Sequence, residues 1–180
     1  MQLTVIGYWG GFPAAGEAST GYLLEHEGFK LLLDCGSGVL SKLQSYVSPS
    51  ELDAVLLTHS HPDHTADIGV LQQALLIGHM SGGQEKCLPI YPHSEEQGFI
   101  ETLQYKAYTE WKPIEEDVPS QIGPFSVRAM KTKHSVPCLA YRIEAGGRVF
   151  GFTGDTAFKE DFASFFQGAH VLLSECNFYK

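Results

Sequence analysis

One short run constrains this chain more than any other feature: His59-Ser60-His61-Pro62-Asp63-His64, placed directly behind the apolar stretch Ala54–Leu57. Three imidazoles and a carboxylate within six residues, at the end of a buried-type strand, demand a fold that gathers them at the strand's end. In extended backbone, residues i and i+2 point the same way, so His59 and His61 can grip one ion from one side. Pro62 keeps His61 extended and suits the first turn of a helix. Asp63 and His64 then project from that turn in another direction, toward a second ion. Imidazole and carboxylate are zinc ligands and also suit manganese or iron. Behind a buried strand, such a run reads as a metal centre rather than an exposed histidine-rich loop.

Two ions need further ligands, and strand ends downstream offer them. His134 lies between the expected strands Phe125–Met130 and Leu139–Glu144. Asp155 closes Phe152-Thr153-Gly154-Asp155-Thr156 after the expected strand Val149–Thr153. Either residue alone reads as an ordinary turn residue. Beside the histidine run, both become candidate ligands.

The rest of the pattern predicts one mixed α/β (α+β) domain over 1–180. Strands are expected at Leu3–Gly7, at Tyr22–His26 and Phe29–Asp34 as a hairpin, and at Ala54–Leu57 and Leu88–Tyr91. Three more are expected at Phe125–Met130, Leu139–Glu144 and Val149–Thr153, with Gly146-Gly147 as the turn between the last two. A final strand is expected at Val171–Leu173. Helices are expected from Val39 to Val47, from Ile68 to Met80 on a 3–4 spacing, over Glu95–Tyr108, and over Phe158–Phe166, with loop over Trp111–Pro119. That order is neither strict βαβ alternation nor all-β, and points to a layered sandwich.

A formal net charge of −9 opposes non-specific binding of nucleic acid, unless bound divalent cations invert the field locally. No apolar run approaches the ~18 residues of a membrane span. The start lacks the features of a secretory signal. The four cysteines are spread singly, as suits reduced thiols in the cytoplasm.

With these residues in this order, the chain resembles the metallo-β-lactamase fold superfamily, ribonuclease Z-like branch, over essentially its whole length. The opening Gly7–Pro13 stretch and Leu33-Asp34-Cys35-Gly36 also look like that family. The resemblance implies a four-layer αββα sandwich. It implies two zinc ions per site, with manganese or iron as alternatives. His59, His61 and His134 would hold the first ion, Asp63 and His64 the second, and Asp155 would bridge both. Asp34 would orient a ligand histidine through its far ring nitrogen. Asp67 is read as complementing the start of its helix. The implied activity is two-metal hydrolysis by a metal-bridging hydroxide, with Asp63 receiving the proton. An aspartate at 155 resembles the phosphodiesterase and thioester-hydrolase branches, whereas β-lactamases of this fold carry cysteine there.

Two departures shape the functional expectation. The family's second site is completed by a histidine near the C-terminus, but the one histidine after Asp155 is His170, read as structural. His79 is read as coincidental, and His26 and His93 as surface or strand-end residues. The chain is expected to end inside the second half of the fold, at Ser174–Asn177, as a fragment of a longer parent. Also, only 20 residues separate His134 from Asp155, too few for the tRNA-binding arm of ribonuclease Z. The expected function is therefore a zinc-dependent phosphodiesterase acting on a small anionic ester. The alternatives are tRNA 3′ processing, with a homodimer partner supplying the arm, and a metal-binding module without activity. Pocket walls are expected from Tyr8–Gly16 and Gly82–Tyr91.

Overall fold

A computed structural model describes residues 1–83 and 86–176 of the chain. Two sheets stack face to face, and the sequence shows why. In β2 (Gly21–His26), β3 (Phe29–Leu33) and β4 (Ala54–Leu56) both faces are apolar. Tyr22, Leu24, Leu31, Leu33, Ala54 and Leu56 point into the core between the sheets. Leu23, Leu32 and Val55 point the other way, into a second core under helices. A strand with two apolar faces must be covered on both, so this sheet sits inside the protein.

The first sheet has the order β1-β2-β3-β4-β5-β6, adding β1 (Gln2–Gly7), β5 (Leu88–Tyr91) and β6 (Thr109–Trp111). Its β1–β2 and β2–β3 pairs are antiparallel, and β3 to β6 run parallel. The outer face is covered by α1 (Val39–Leu43) and α3 (Ile68–Met80), through Val39, Leu40, Leu43, Ile68, Leu71 and Leu75. The second sheet has the order β11-β10-β9-β8-β7, from β7 (Ser120–Ile122), β8 (Phe125–Lys131), β9 (Leu139–Ala145), β10 (Arg148–Phe152) and β11 (Val171–Leu173). Its outer face carries α5 (Phe162–Phe165), packed with Phe166 on Ala140. The layers are thus helix, sheet, sheet, helix, the αββα arrangement expected.

The β9–β10 hairpin turns at Gly146 and Gly147 as expected, with φ of 56° and 70°, a left-handed pair that glycine adopts without penalty. Other expectations need correction. The helix expected over Glu95–Tyr108 is only α4, Gln97–Thr102. Lys106 takes a left-handed φ of 51°, and Thr109 then pairs beside Leu88. The loop expected from Trp111 begins inside β6, and β7 was not anticipated. Both are three-residue edge strands, too short to show alternation. The helix expected from Val39 stops at Leu43, and the one over Phe158–Phe166 shrinks to Phe162–Phe165. Among the described residues no helix is long and apolar enough to cross a membrane.

Candidate metal centre

Parallel pairing of β3 with β4 puts their C-terminal ends together, so Asp34 and the run after Leu57 share one edge. In the second sheet, the end of β8, the start of β9 and the end of β10 also meet at one edge, through Lys131↔Leu139 and Phe152↔Tyr141. The two edges are fastened directly. Leu139 N–H donates to Thr58 O at 3.1 Å, and the buried Tyr141 hydroxyl donates to Leu57 O at 2.7 Å. All six residues expected to hold metal converge at this junction.

The short α2 (Pro62–Thr65) follows His61, whose ψ of 145° is extended, with Pro62 at the first helical position. Its carbonyls are caught from below. Thr20 N–H donates to Asp63 O at 3.1 Å and Cys35 N–H to His64 O at 2.8 Å. Gly36 is required here, because a Cβ would stand 1.9 Å from Asp63 O.

The ligand atoms fall into two groups. In the first, His59 Nε2 lies 3.1 Å from His61 Nδ1, which lies 3.0 Å from His134 Nε2. Asp155 Oδ2 is 3.9 Å from His59 Nε2 and 3.8 Å from His134 Nε2. The three ring centroids are 4.8 Å apart pairwise, each pair at 76°, a threefold arrangement around one point. In the second group, His64 Nε2 is 3.2 Å from Asp155 Oδ1 and 3.7 Å from Asp63 Oδ2. Gly11 N–H donates to Asp63 Oδ2 at 2.7 Å, tying the β1–β2 loop to the centre.

Asp34 is fully buried and left-handed, with φ of 57°. Its Oδ1 accepts Thr58 N–H at 2.8 Å; its Oδ2 lies 2.7 Å from His64 Nδ1. That contact is on the far ring nitrogen, leaving His64 Nε2 aimed at Asp63 and Asp155. Asp67 sits at the N-cap of α3, where its charge complements the helix start as expected, and its Oδ2 also accepts Leu40 N–H at 2.9 Å, pinning α1 to α3.

The electrostatics favour cations. Burial pulls His59 down to about 2, helped by the charge on His64. Burial also works against a charge on His64, but Asp34 and Asp155 lift it to about 10. Burial works to raise Asp155, yet the His64 hydrogen bond and the imidazole charges hold it below the usual carboxylate range. Burial pushes the Cys138 thiol up to about 12, so it stands as a neutral thiol 3.6 Å from His59 Nδ1.

A cleft of about 540 Å³ opens on the second group, lined by Tyr8, Thr20, His64, Asp155 and Glu175 among others. The expected Tyr8–Gly16 wall is there through Tyr8 and Gly10. The described residues of the expected Gly82–Tyr91 wall do not line it. Residues 84 and 85 of it lie outside the described residues, as does Asn177, while Gly83 and Lys86 line a separate cavity with His79. His170 lies away from the centre, its Nδ1 accepting Val149 N–H at 3.1 Å. His93 sits past the end of β5 but is buried, against Glu96 at 3.1 Å, rather than on the surface. Sequence reasoning missed Thr58, the Gly11 amide, Cys138 and Glu175, which accepts the Thr156 N–H beside Asp155.

This fold and centre define a class. Residues 30–180 match the model of the beta-lactamase superfamily domain, and the chain belongs to the metallo-β-lactamase superfamily. It is a metal-dependent hydrolase. It is 46% identical over 179 residues to the probable metallo-hydrolase YhfI of Bacillus subtilis (strain 168), covering 99% of this chain and 73% of that protein. The crystal structure of that metallo-beta-lactamase fold protein superposes with a TM-score of 0.97 over 98% of this chain and 72% of the other. The chain is also 35% identical over 145 residues to a ribonuclease Z of Methanopyrus kandleri, spanning 80% of this chain and half of that relative. Human tRNase Z, short form, shares the fold at 19% identity, with a TM-score of 0.77 over 96% of this chain and 76% of that one.

Proposed function

We propose that the protein is a dinuclear zinc-dependent phosphodiesterase acting on a small phosphodiester. The observation carrying this reading is the division of Asp155: Oδ2 faces the three-histidine group and Oδ1 faces His64 beside Asp63. One carboxylate shared between two ligand groups is the arrangement that holds two cations side by side.

The donor set fits zinc. A tetrahedron with legs of about 2.0–2.1 Å has edges of about 3.3 Å. The edges here, from 3.0 to 3.9 Å, bracket that value. His59, His61 and His134 would hold the first ion, Asp63 and His64 the second, and Asp155 both. When bound, such ions supply Lewis acidity at phosphoryl oxygens and lower the pKa of a water to about 7.

The chain's own groups do the positioning. Asp34 holds His64 by Nδ1, which keeps Nε2 turned toward Asp63 and Asp155. The Gly11 amide keeps the Asp63 carboxylate turned into the centre, where it can take up a proton. The cleft is of the size that holds a small ligand. A net charge of −9 means that cations in the site must supply the attraction for an anionic ester.

The test is hydrolysis of bis(4-nitrophenyl) phosphate by zinc-loaded protein beside Asp63→Ala. Turnover lost in the variant supports the reading. No turnover of phosphodiesters or thioesters with metal loaded would leave a metal-binding module. The ribonuclease Z relatives favour a second reading, tRNA 3′ processing. In it a second copy of the chain supplies the RNA contacts, because the segment between His134 and Asp155 forms only β9, β10 and their turns. Cleavage of a precursor tRNA by an isolated dimer would favour it.

A further inference from the structure

Thr58 is fully buried at the meeting point of both ligand groups. Its Oγ1 lies 2.9 Å from Asp34 Oδ2, 3.0 Å from His59 Nδ1 and 3.3 Å from His64 Nδ1. Counting protons assigns the roles. An ionised carboxylate only accepts, so the single hydroxyl proton of Thr58 goes to Asp34 Oδ2. The hydroxyl's lone pairs are then left facing His59. A neutral imidazole carries one proton, and here it must sit on Nδ1, where the acceptor is. His59 Nε2 keeps its lone pair on the side where His61 Nδ1 lies 3.1 Å away. The same Asp34 Oδ2 meets His64 Nδ1 directly at 2.7 Å.

We propose that Asp34 and Thr58 form one buried tautomer lock serving both ligand groups, the carboxylate acting on His64 directly and on His59 through the Thr58 hydroxyl. Thr58 is a positioning residue: its hydroxyl touches ligand rings and no reacting atom. Among the described residues, the one competitor for His59 Nδ1 is Cys138 Sγ at 3.6 Å. A thiol donating there would demand the opposite tautomer, but it is a weak donor and is farther away than the hydroxyl. The Thr58 methyl faces the turn that carries Asp155: a Cβ added at Gly154 would stand 3.3 Å from Thr58 Cγ2. Partners of this kind typically change metal affinity about 10–100-fold when removed.

The metal-affinity arm of the inference rests on the centre binding zinc; the tautomer arm does not. Thr58→Val keeps the shape and removes the hydroxyl, and Thr58→Ser keeps the hydroxyl and removes the methyl. In chelator-stripped protein, ring ¹⁵N shifts of His59 should report Nδ1–H in the wild type and in Thr58→Ser, and lose it in Thr58→Val. Chelator competition should then show the tighter zinc site weakened about 10–100-fold in Thr58→Val, and near wild type in Thr58→Ser. Nε2–H on His59 of the wild type overturns the lock without recourse to any variant. Equal losses of affinity in both variants, with the tautomer unchanged, also overturn it and leave Thr58 a packing residue. If the wild type binds no zinc, the reading of the centre fails, while the tautomer result still decides the lock.

Discussion

The four histidines of the centre are held by two different means. On the buried side, His59 and His64 are almost inaccessible, and each Nδ1 has a protein partner, Thr58 and Asp34 respectively. On the open side, His61 and His134 are partly exposed. Among the described residues, their rings meet only one another, His59 and Asp155. The difference separates an element built into the fold from one that a cation must gather. Asp34 and Thr58 belong to the parallel β3–β4 junction and stay in place whenever the sheet forms. His61 and His134 come from α2's leading edge and the β8–β9 loop, and only shared ligation gives them a common target.

The largest effect should come from the residue that joins both sides. Asp155→Ala should cut metal content from the proposed two per chain to one or fewer and lower the proposed phosphodiesterase activity about 100-fold. Elemental analysis and a turnover assay read both. Asp34→Ala should strike the buried side twice. It strands the Thr58 amide, a buried donor whose loss of partner costs about 2 kcal/mol, or about 4–8 °C in Tm. It should also weaken zinc at His64 about 10–100-fold.

The buried side should also show itself in the pH dependence of the metal-free protein. His64 has a folded pKa raised to about 10, so its contribution is full below about 6.5 and lost as pH rises toward 10. His59 has a folded pKa lowered to about 2, so its contribution is full above about 6.5 and lost as pH falls below that. From these two rings, stability should peak near pH 6.5. A urea-denaturation series with pH reads it, and a profile flat from 6.5 to 10 would remove His64 from the account. The smallest stability effect should come from the open side. His61→Ala should change the stability of the metal-free protein by no more than about 0.5 kcal/mol while abolishing tight zinc binding. A Tm loss as large as that of Asp34→Ala would erase the contrast between the two sides.

Much of the candidate site was legible in the sequence because the candidate ligands announce themselves by residue type. His59, His61, Asp63 and His64 share one short run behind an apolar strand, and His134 and Asp155 fall at strand ends that periodicity marks. Asp34 was legible through the family resemblance alone. Thr58 was not, although it adjoins His59, because its role depends on β3 lying beside β4 and on which atoms that pairing makes neighbours. The Gly11 amide and Cys138 were hidden for the same reason: each reaches the centre from a distant segment. In the fold, long alternating strands and the α3 stripe could be read directly. The edge strands β6 and β7 were lost, since three residues carry no period.

The central claim is that Asp155 joins two cation sites. It is tested most directly by metal content per chain in protein purified without chelator, wild type beside Asp155→Ala. The account predicts close to two zinc ions in the wild type and at most one in the variant. One ion or fewer in the wild type, or two retained without Asp155, would contradict it.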